Sequence, residues 1–453
     1  METQKQKKSF GQWIKTSITV RMLMVGILIL VLLIPLSYIK NLIQERAYRQ
    51  EEVVSEINQK WGNEVLLYGP ILKIPYQTHK LKKIWDEKTK SYLQEDIISV
   101  HQAFFFPNTL DINTNVESEN LGRSIYESVV YTADMKIKGS FTAPNFEIQD
   151  IKAEDILWNK ATVIVNSTNS KGIRSNLELK IGSENYPLQS RYTQNSNTNR
   201  FETKFLKDSS LPKENQINFE MDLKVNGSEQ LRFIPVGRET NVAMTSNWAS
   251  PSFNGNYLPD TKTKEITENG FKANWKVLQI NREFEQEFFG ELPHINSSAF
   301  GVKLLIPVDE YQKSERAAKY GYLVIALTFL VFFLIQTVSK ITIHPFQYLM
   351  IGLALTMFYT LLISISEHSS FLYAYGIAGI AVVLLISIYS KAILRSFKFM
   401  GLIGASLAAL YTFIFVIIQL ENYALLVGSI GLFLILGTIM MISRKIDWVN
   451  DGV

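Results

Sequence analysis

The stretch "MLMVGILILVLLIPLSYI", residues 22–39, decides the fold class. Apart from Ser37 and the phenol of Tyr38 it is apolar, and it is bounded by Arg21 and Lys40. With modest extension by its flanks it is long enough to cross about 30 Å of hydrocarbon at about 1.5 Å per residue. We read it as a first transmembrane helix. A secretory signal peptide would have a shorter apolar core followed by a small-residue cleavage site, whereas this run continues into Lys40 and a charged segment. The helix is therefore expected to stay in place as an anchor.

Working outward, five further apolar runs follow a long polar middle, at about 320–339, 346–366, 371–390, 399–420 and 423–443. Lys5, Lys7, Lys8, Lys15 and Arg21 precede the first span, Lys340 follows the second, Lys391, Arg395 and Lys398 follow the fourth, and Arg444 and Lys445 follow the sixth. The intervening turns, Glu367-His368-Ser369-Ser370 and Glu421-Asn422, carry no Lys or Arg. The positive-inside rule then places both termini in the cytoplasm and the polar middle outside. Lys40, Arg46, Arg49, Lys313, Arg316 and Lys319 run against this, but long domains translocate largely regardless of charge.

The organisation expected is a cytoplasmic N-terminus over 1–21, a first membrane helix over 22–39, an extracytoplasmic β-rich domain with a helical stalk over 40–319, helices two to six over 320–443, and a cytoplasmic C-terminus over 444–453. Charge divides the same way. Residues 41–318 hold 33 Lys+Arg against 37 Asp+Glu, and the remainder holds 13 against 5, so the net +4 is −4 outside and +8 in the membrane part. Topology accounts for the basic excess, and no nucleic-acid partner is indicated. With no cysteine, the outer domain must be held by its core rather than by disulfides. At roughly 280 residues it can bury about three-quarters of its unfolded surface.

Residues 41–59 suit a helix continuing out of the first span. Beyond them the period becomes two. Val129, Tyr131, Ala133, Met135 and Ile137 alternate with mostly polar neighbours, as do Ile217, Phe219, Met221, Leu223 and Val225, and Phe271, Ala273, Trp275 and Val277. Such alternation predicts strands with one buried face. Turn signals separate the runs without a long helical pattern between them, which favours a β-sandwich, or a pair of them, over a parallel sheet. The polar stretches 166–176 and 191–200 offer a boundary between two halves. The fold class is thus an α+β membrane protein: a six-helix bundle with a large β-sandwich-like domain inserted between helices one and two.

The five histidines lie far apart, and none has metal-ligand spacing. No G-x-S-x-G elbow, Walker loop or dinucleotide fingerprint appears. The expectation is a non-enzymatic protein without a cofactor. Glu367 and His368, at the end of the third span, form a membrane-edge polar pair that reads either as a proton or ion site or as a span ending in water. Gly401, Gly404, Ser406, Gly428, Gly431 and Gly437 offer small faces for helix packing and leave a homo-oligomer open.

The run "FIPVGRETNVAMTSNWASPSFNGNYLP", residues 233–259, resembles the most distinctive signature of the CreD family of bacterial inner-membrane proteins. Agreeing blocks are "IPLSYIKNLIQERAYRQEEV", "GPILKIPY", "ERAAKYGYLVIALTFLVFF" and "HPFQYLMIGLALTMFYTLLISISEH", in that order. The resemblance implies a multi-pass inner-membrane protein with a large periplasmic domain, associated with cell-envelope integrity and with envelope stress under a two-component regulator. It implies no catalytic residue, ligand or cofactor.

Two readings of residues 245–260 stand side by side. In one, a packed Ω-type loop folds Trp248 and Phe253 over the open end of the sandwich, with Pro251 and Pro259 bracketing it. In the other, Asn247, Trp248, Phe253, Asn254 and Tyr257 form an exposed platform for a glycan or peptide of the envelope. The functional expectation is an envelope-maintenance protein whose partners are the lipid bilayer and an unidentified periplasmic component. A transporter or lipid-handling protein is the alternative, and an envelope hydrolase a third.

Overall fold

The computed structural model describes residues 18–444 apart from 87–90, 192–197, 214, 307–309, 340 and 421–422. Lys5, Lys7, Lys8, Lys15, Lys340, Lys445 and the Glu421-Asn422 turn therefore lie outside the described residues. The chain forms two compact units, one of Met1–Glu51 with Val308–Val453 and one of Glu52–Pro307.

Helix α1, Ile18–Trp61, is a single run of 44 residues, so the expected anchor and stalk are one element. The first unit adds α2 (Glu310–Lys319), α3 (Gly321–Ser339), α4 (Pro345–Ser366), α5 (Phe371–Leu394), α6 (Phe397–Gln419) and α7 (Ala424–Ser443). Six of its helices, all but the short polar α2, are long and apolar enough to span a membrane. Glycine notches seat α1: a Cβ on Gly352 would stand 2.0 Å from Leu32 Cδ1, and one on Gly321 would stand 2.7 Å from Leu36 Cδ1. Of the small residues noted in the sequence, Gly431 packs on Phe413 and Gly404 on Ser387, whereas Gly401 and Gly437 face open space. Within the bundle Tyr348 donates to Gln336 Oε1 at 2.9 Å, and Tyr375 donates to the carbonyl of Tyr411 at 2.8 Å. A polar group at membrane depth needs such a partner.

The second unit is almost all strand: β1 (Val65–Asp86), β2 (Ser91–Phe105), β3 (Thr109–Arg123), β4 (Tyr126–Phe141), β5 (Thr162–Ser167), β6 (Glu178–Ile181), β7 (Glu184–Pro187), β8 (Gln189–Arg191), β9 (Asn199–Glu202), β10 (Ile217–Ser228), β11 (Gln230–Phe233), β12 (Glu239–Ser246), β13 (Pro251–Gly255), β14 (Glu265–Thr267), β15 (Gly270–Leu278), β16 (Glu287–Phe289) and β17 (Phe300–Leu304). One sheet runs β13-β17-β11-β1-β5-β9-β8, with β2 and β16 attached through β1. The other runs β14-β15-β12-β3-β4-β10-β6-β7. The alternating runs of the sequence fall on β4, β10 and β15 with their apolar members buried, Ile217 at the start of β10 only partly so. Two neighbour pairs, β1 with β11 and β3 with β12, are parallel. The sheets are therefore mixed, because chain that crosses between sheets returns in the same direction.

A single core joins the two sheets. It runs from Val65 to Leu304 and includes Val163 and Phe201, which flank the polar stretches at 166–176 and 191–200. Those stretches thus lie within one domain rather than between two halves. Asn199 and Arg200 belong to β9, and Asn169 pins its turn by donating to the carbonyls of Asn63 and Asn226. Ring contacts cross between the sheets: Phe253 lies 5.6 Å from Phe271 and 5.7 Å from Trp275, and Trp275 lies 5.8 Å from Phe300.

The last turn of α1 is built into this unit. Asn58 donates to Glu229 at 2.6 Å and accepts from the Ser128 hydroxyl at 2.6 Å, while Trp61 Nε1 donates to the carbonyl of Tyr131 at 3.3 Å. Gly62 ends the helix at φ +148°, where a Cβ would stand 2.7 Å from the carbonyl oxygen of Asn226. Gly62→Ala is expected to cost about 1–3 kcal/mol by overpacking and strain. Gly26→Ala, on the same helix, faces open space and is expected to leave stability unchanged. Thermal unfolding of the two purified variants, followed by tryptophan fluorescence, checks the contrast.

Candidate functional site

Residues 245–260 prove to be a crossover between the sheets. β12 ends at Ser246 and β13 begins at Pro251 on the edge of the other sheet. The stretch expected as an Ω-type loop is therefore partly strand. Proline fits the first position of an edge strand, where no ladder hydrogen bond is lost.

Asn247 extends the β3 pairing by one step with its side chain. Its Oδ1 accepts from the Ser118 N–H at 2.8 Å and its Nδ2 donates to the Ser118 carbonyl at 2.9 Å. Trp248 Nε1 donates to the Leu305 carbonyl at 3.0 Å, and the Tyr257 hydroxyl donates to the Asn281 carbonyl at 3.0 Å. The Asn254 amide meets that of Gln230. All three aromatics pack against the common core while keeping partial exposure. The five candidate residues are thus gathered on one crossover, and each uses polar atoms or ring faces within the unit.

Glu367 caps the end of α4, and its carboxylate stands 3.5 Å from Arg46 Nε of α1. Two further acids tie helix ends nearby: Glu310 Oε2 accepts the Phe371 N–H at 2.7 Å, and Glu315 meets Gln44 at 3.4 Å and Lys319 at 3.2 Å. His368 is exposed. The expected pair is therefore divided, with Glu367 in a partly exposed ion pair of the kind worth at most about 1 kcal/mol and His368 facing outward.

A third feature was not foreseen from the sequence. β1 pairs with β11 and β5 only through residues 65–73, and β2 pairs with β16 only through 103–105. Past the Tyr76–Ile156 bridge, residues 77–86 and 91–100 pair, among the described residues, only with one another. They make a two-stranded ribbon about 30 Å long at about 3.3 Å per residue.

Residues directly opposite in an antiparallel pair share a face. The register sets Gln77 opposite Val100, His79 opposite Ile98, Leu81 opposite Asp96, Lys83 opposite Gln94 and Trp85 opposite Tyr92. One face thus carries Leu81, Trp85, Tyr92, Ile98 and Val100, which are 67, 52, 67, 53 and 54% exposed. The other carries Thr78, Lys80, Lys82, Glu95, Ile97 and Ser99. Trp85 and Tyr92 meet edge to face at 5.1 Å. At the root His79 is clamped between carboxylates, Nδ1 to Asp96 at 2.6 Å and Nε2 to Asp155 at 3.0 Å, and both raise its pKa above the usual imidazole value. Among the described residues, no group of three or more His, Asp or Glu is placed to hold a metal ion.

The family model described as inner membrane protein CreD matches residues 17–449. The chain belongs to the CreD family. The inner membrane protein CreD of Escherichia coli (strain K12) is 30% identical over 424 residues, covering 93% of this chain and 91% of that protein. This is therefore a multi-pass inner-membrane protein of the CreD type, and its six apolar helices are the membrane part that membership requires.

Asn247→Ala removes both partners of Ser118 and is expected to cost about 1–3 kcal/mol, read as a lowered unfolding midpoint. The His79 clamp gives a pH dependence of defined sign. Because the folded pKa is raised, its contribution is complete below the unfolded value of about 6.5 and is lost as pH rises through the folded value. Protection of ribbon-root amides relative to the intrinsic exchange rate is expected to fall with rising pH across that window, and Asp155→Asn is expected to lower the His79 pKa in an NMR titration.

Proposed function

We propose that the protein supports cell-envelope integrity without turning over a substrate: the bundle anchors it, the β unit lies in the periplasm, and the β1–β2 ribbon engages a component of the envelope. The observation that carries this reading is the row Leu81, Trp85, Tyr92, Ile98 and Val100, each at least half exposed, on one face of a ribbon that pairs with no further strand among the described residues. The face holds two exposed apolar groups, Trp85 with Tyr92 and Leu81 with Ile98 and Val100, on either side of the Lys83–Gln94 pair, and exposed apolar groups of this size on a folded unit mark an interaction site. The distribution of Lys and Arg supports cytoplasmic termini. The crossover carrying Asn247, Trp248, Phe253, Asn254 and Tyr257 is a second candidate surface on the same unit. Glu367, held by Arg46, and the exposed His368 remain separate candidate polar residues at the membrane edge.

Lipid handling is a second reading, favoured by a cavity of about 520 Å³ among α3, α6 and α7, lined by Thr328, Phe332, Leu407, Phe413 and Ile435. Thr328 Oγ1 is buried there without a hydrogen-bond partner.

Complementation of a deletion strain under envelope stress separates these surfaces. The Leu81→Ser/Trp85→Ser/Tyr92→Ser variant is expected to insert at normal levels and fail to rescue, and full rescue would contradict the ribbon reading. Trp248→Ala/Tyr257→Ala is expected to lower the inserted level. A normal level without rescue would move the binding surface to the crossover.

A further inference from the structure

Resting on the reading of the ribbon as the engaged surface, we propose that its partner is the surface of an anionic phospholipid bilayer, on which the Leu81–Trp85–Tyr92–Ile98–Val100 face lies. The argument begins with charge. Residues 41–318 carry a net −4, yet the ribbon and its connection, residues 77–100, hold Lys80, Lys82, Lys83, Lys88 and Lys90 against Asp86, Glu87, Glu95 and Asp96, a net +1 with His79 neutral. A positive segment within an acidic region is complementary to an anionic surface, and basic clusters beside a membrane read in this way.

The side-chain types agree with the charge. Trp85 and Tyr92 pair at the distal end of the ribbon, and their amphipathic rings suit the headgroup level of a bilayer. Leu81, Ile98 and Val100 continue the same face toward the root. Lys83 lies on that face between Leu81 and Trp85, and Lys80 and Lys82 lie on the opposite one. The Lys83 stem can bury its methylenes while its ammonium reaches phosphate, and Lys80 and Lys82 add to the field of the ribbon from its other face. Of the acids on the described ribbon, Asp96 is held by His79, Glu95 lies opposite Lys82, and Asp86 lies opposite Ser91 at the distal end.

A second copy of the chain is the competing occupant, since among the described residues both ribbon edges are open beyond the root. The same lysines oppose it: edge lysines disfavour edge-to-edge pairing, and two ribbons would bring Lys80, Lys82 and Lys83 together. An anionic lipid surface gains from those charges.

The absence of cysteine allows a direct test on the full chain. Gln94→Cys, on the apolar face opposite Lys83, takes an environment-sensitive fluorophore, and Asn113→Cys, exposed on the other sheet, serves as control. Each is reconstituted in nanodiscs of zwitterionic lipid and mixed with liposomes. Liposomes containing phosphatidylglycerol should blue-shift the label at 94 and protect it from a water-soluble quencher, with no change at 113. Phosphatidylcholine liposomes should do neither. Lys80→Glu/Lys82→Glu/Lys83→Glu should weaken the response by about a hundredfold or more, and added salt should weaken it too.

Equal response to both lipids, no response to either, or protection that instead follows the number of protein copies per disc would overturn the proposal. Failure here together with loss of rescue by the apolar triple variant would leave the ribbon as the working surface and remove lipid as its partner. Rescue by the triple variant would remove the broader reading itself.

Discussion

The β unit depends on apolar contact between its two sheets, because a chain without cysteine has no covalent tie to hold them. Trp275 is the hinge of that contact, its ring within 6 Å of both Phe253 and Phe300. Its indole nitrogen donates to the Tyr257 carbonyl at 3.2 Å. The chain changes sheets between β12 and β13 at this place, so the crossover and the core are one arrangement. Backbone groups freed by the change of sheet still need partners, and the Asn247 side chain and the Trp248 and Tyr257 donors supply them. Asn247, Trp248 and Pro251 in this stretch meet that demand.

How much was legible in the sequence differed by element. The membrane helices could be read because an unbroken apolar run of bilayer length is costly to leave in water and matches the hydrocarbon thickness. α1 could be followed through its polar half by continuity of the helical pattern. β4, β10 and β15 could be read because each buries one face. Parallel pairing of β3 with β12 was not legible, since alternation records which face is buried and is silent on the neighbour's direction. The polar stretches at 166–176 and 191–200 look like linkers for the same reason: the tertiary bonds of Asn169 leave no mark in local composition.

The ribbon escaped the sequence reading through the same blindness. Leu81 and Trp85 share their face with Lys83 and so give no clean alternation, and nothing local shows that the sheet stops short of them. The Lys-rich run from 80 to 90, beside Trp85 and Tyr92, was the available signal. Glu367 and His368 were legible as polar residues at a span end. Their different fates were not, because the partner of Glu367, Arg46, lies far away in sequence on α1.

These features describe a protein with six membrane-length helices and a β unit whose β1–β2 ribbon, among the described residues, presents an amphipathic face. Photo-crosslinking in intact cells from an unnatural residue at position 94 tests that claim most directly. The account predicts adducts to lipid or another envelope component from position 94 and none from position 113. Equal labelling from the two positions, or none from 94 in fully inserted protein, would contradict it.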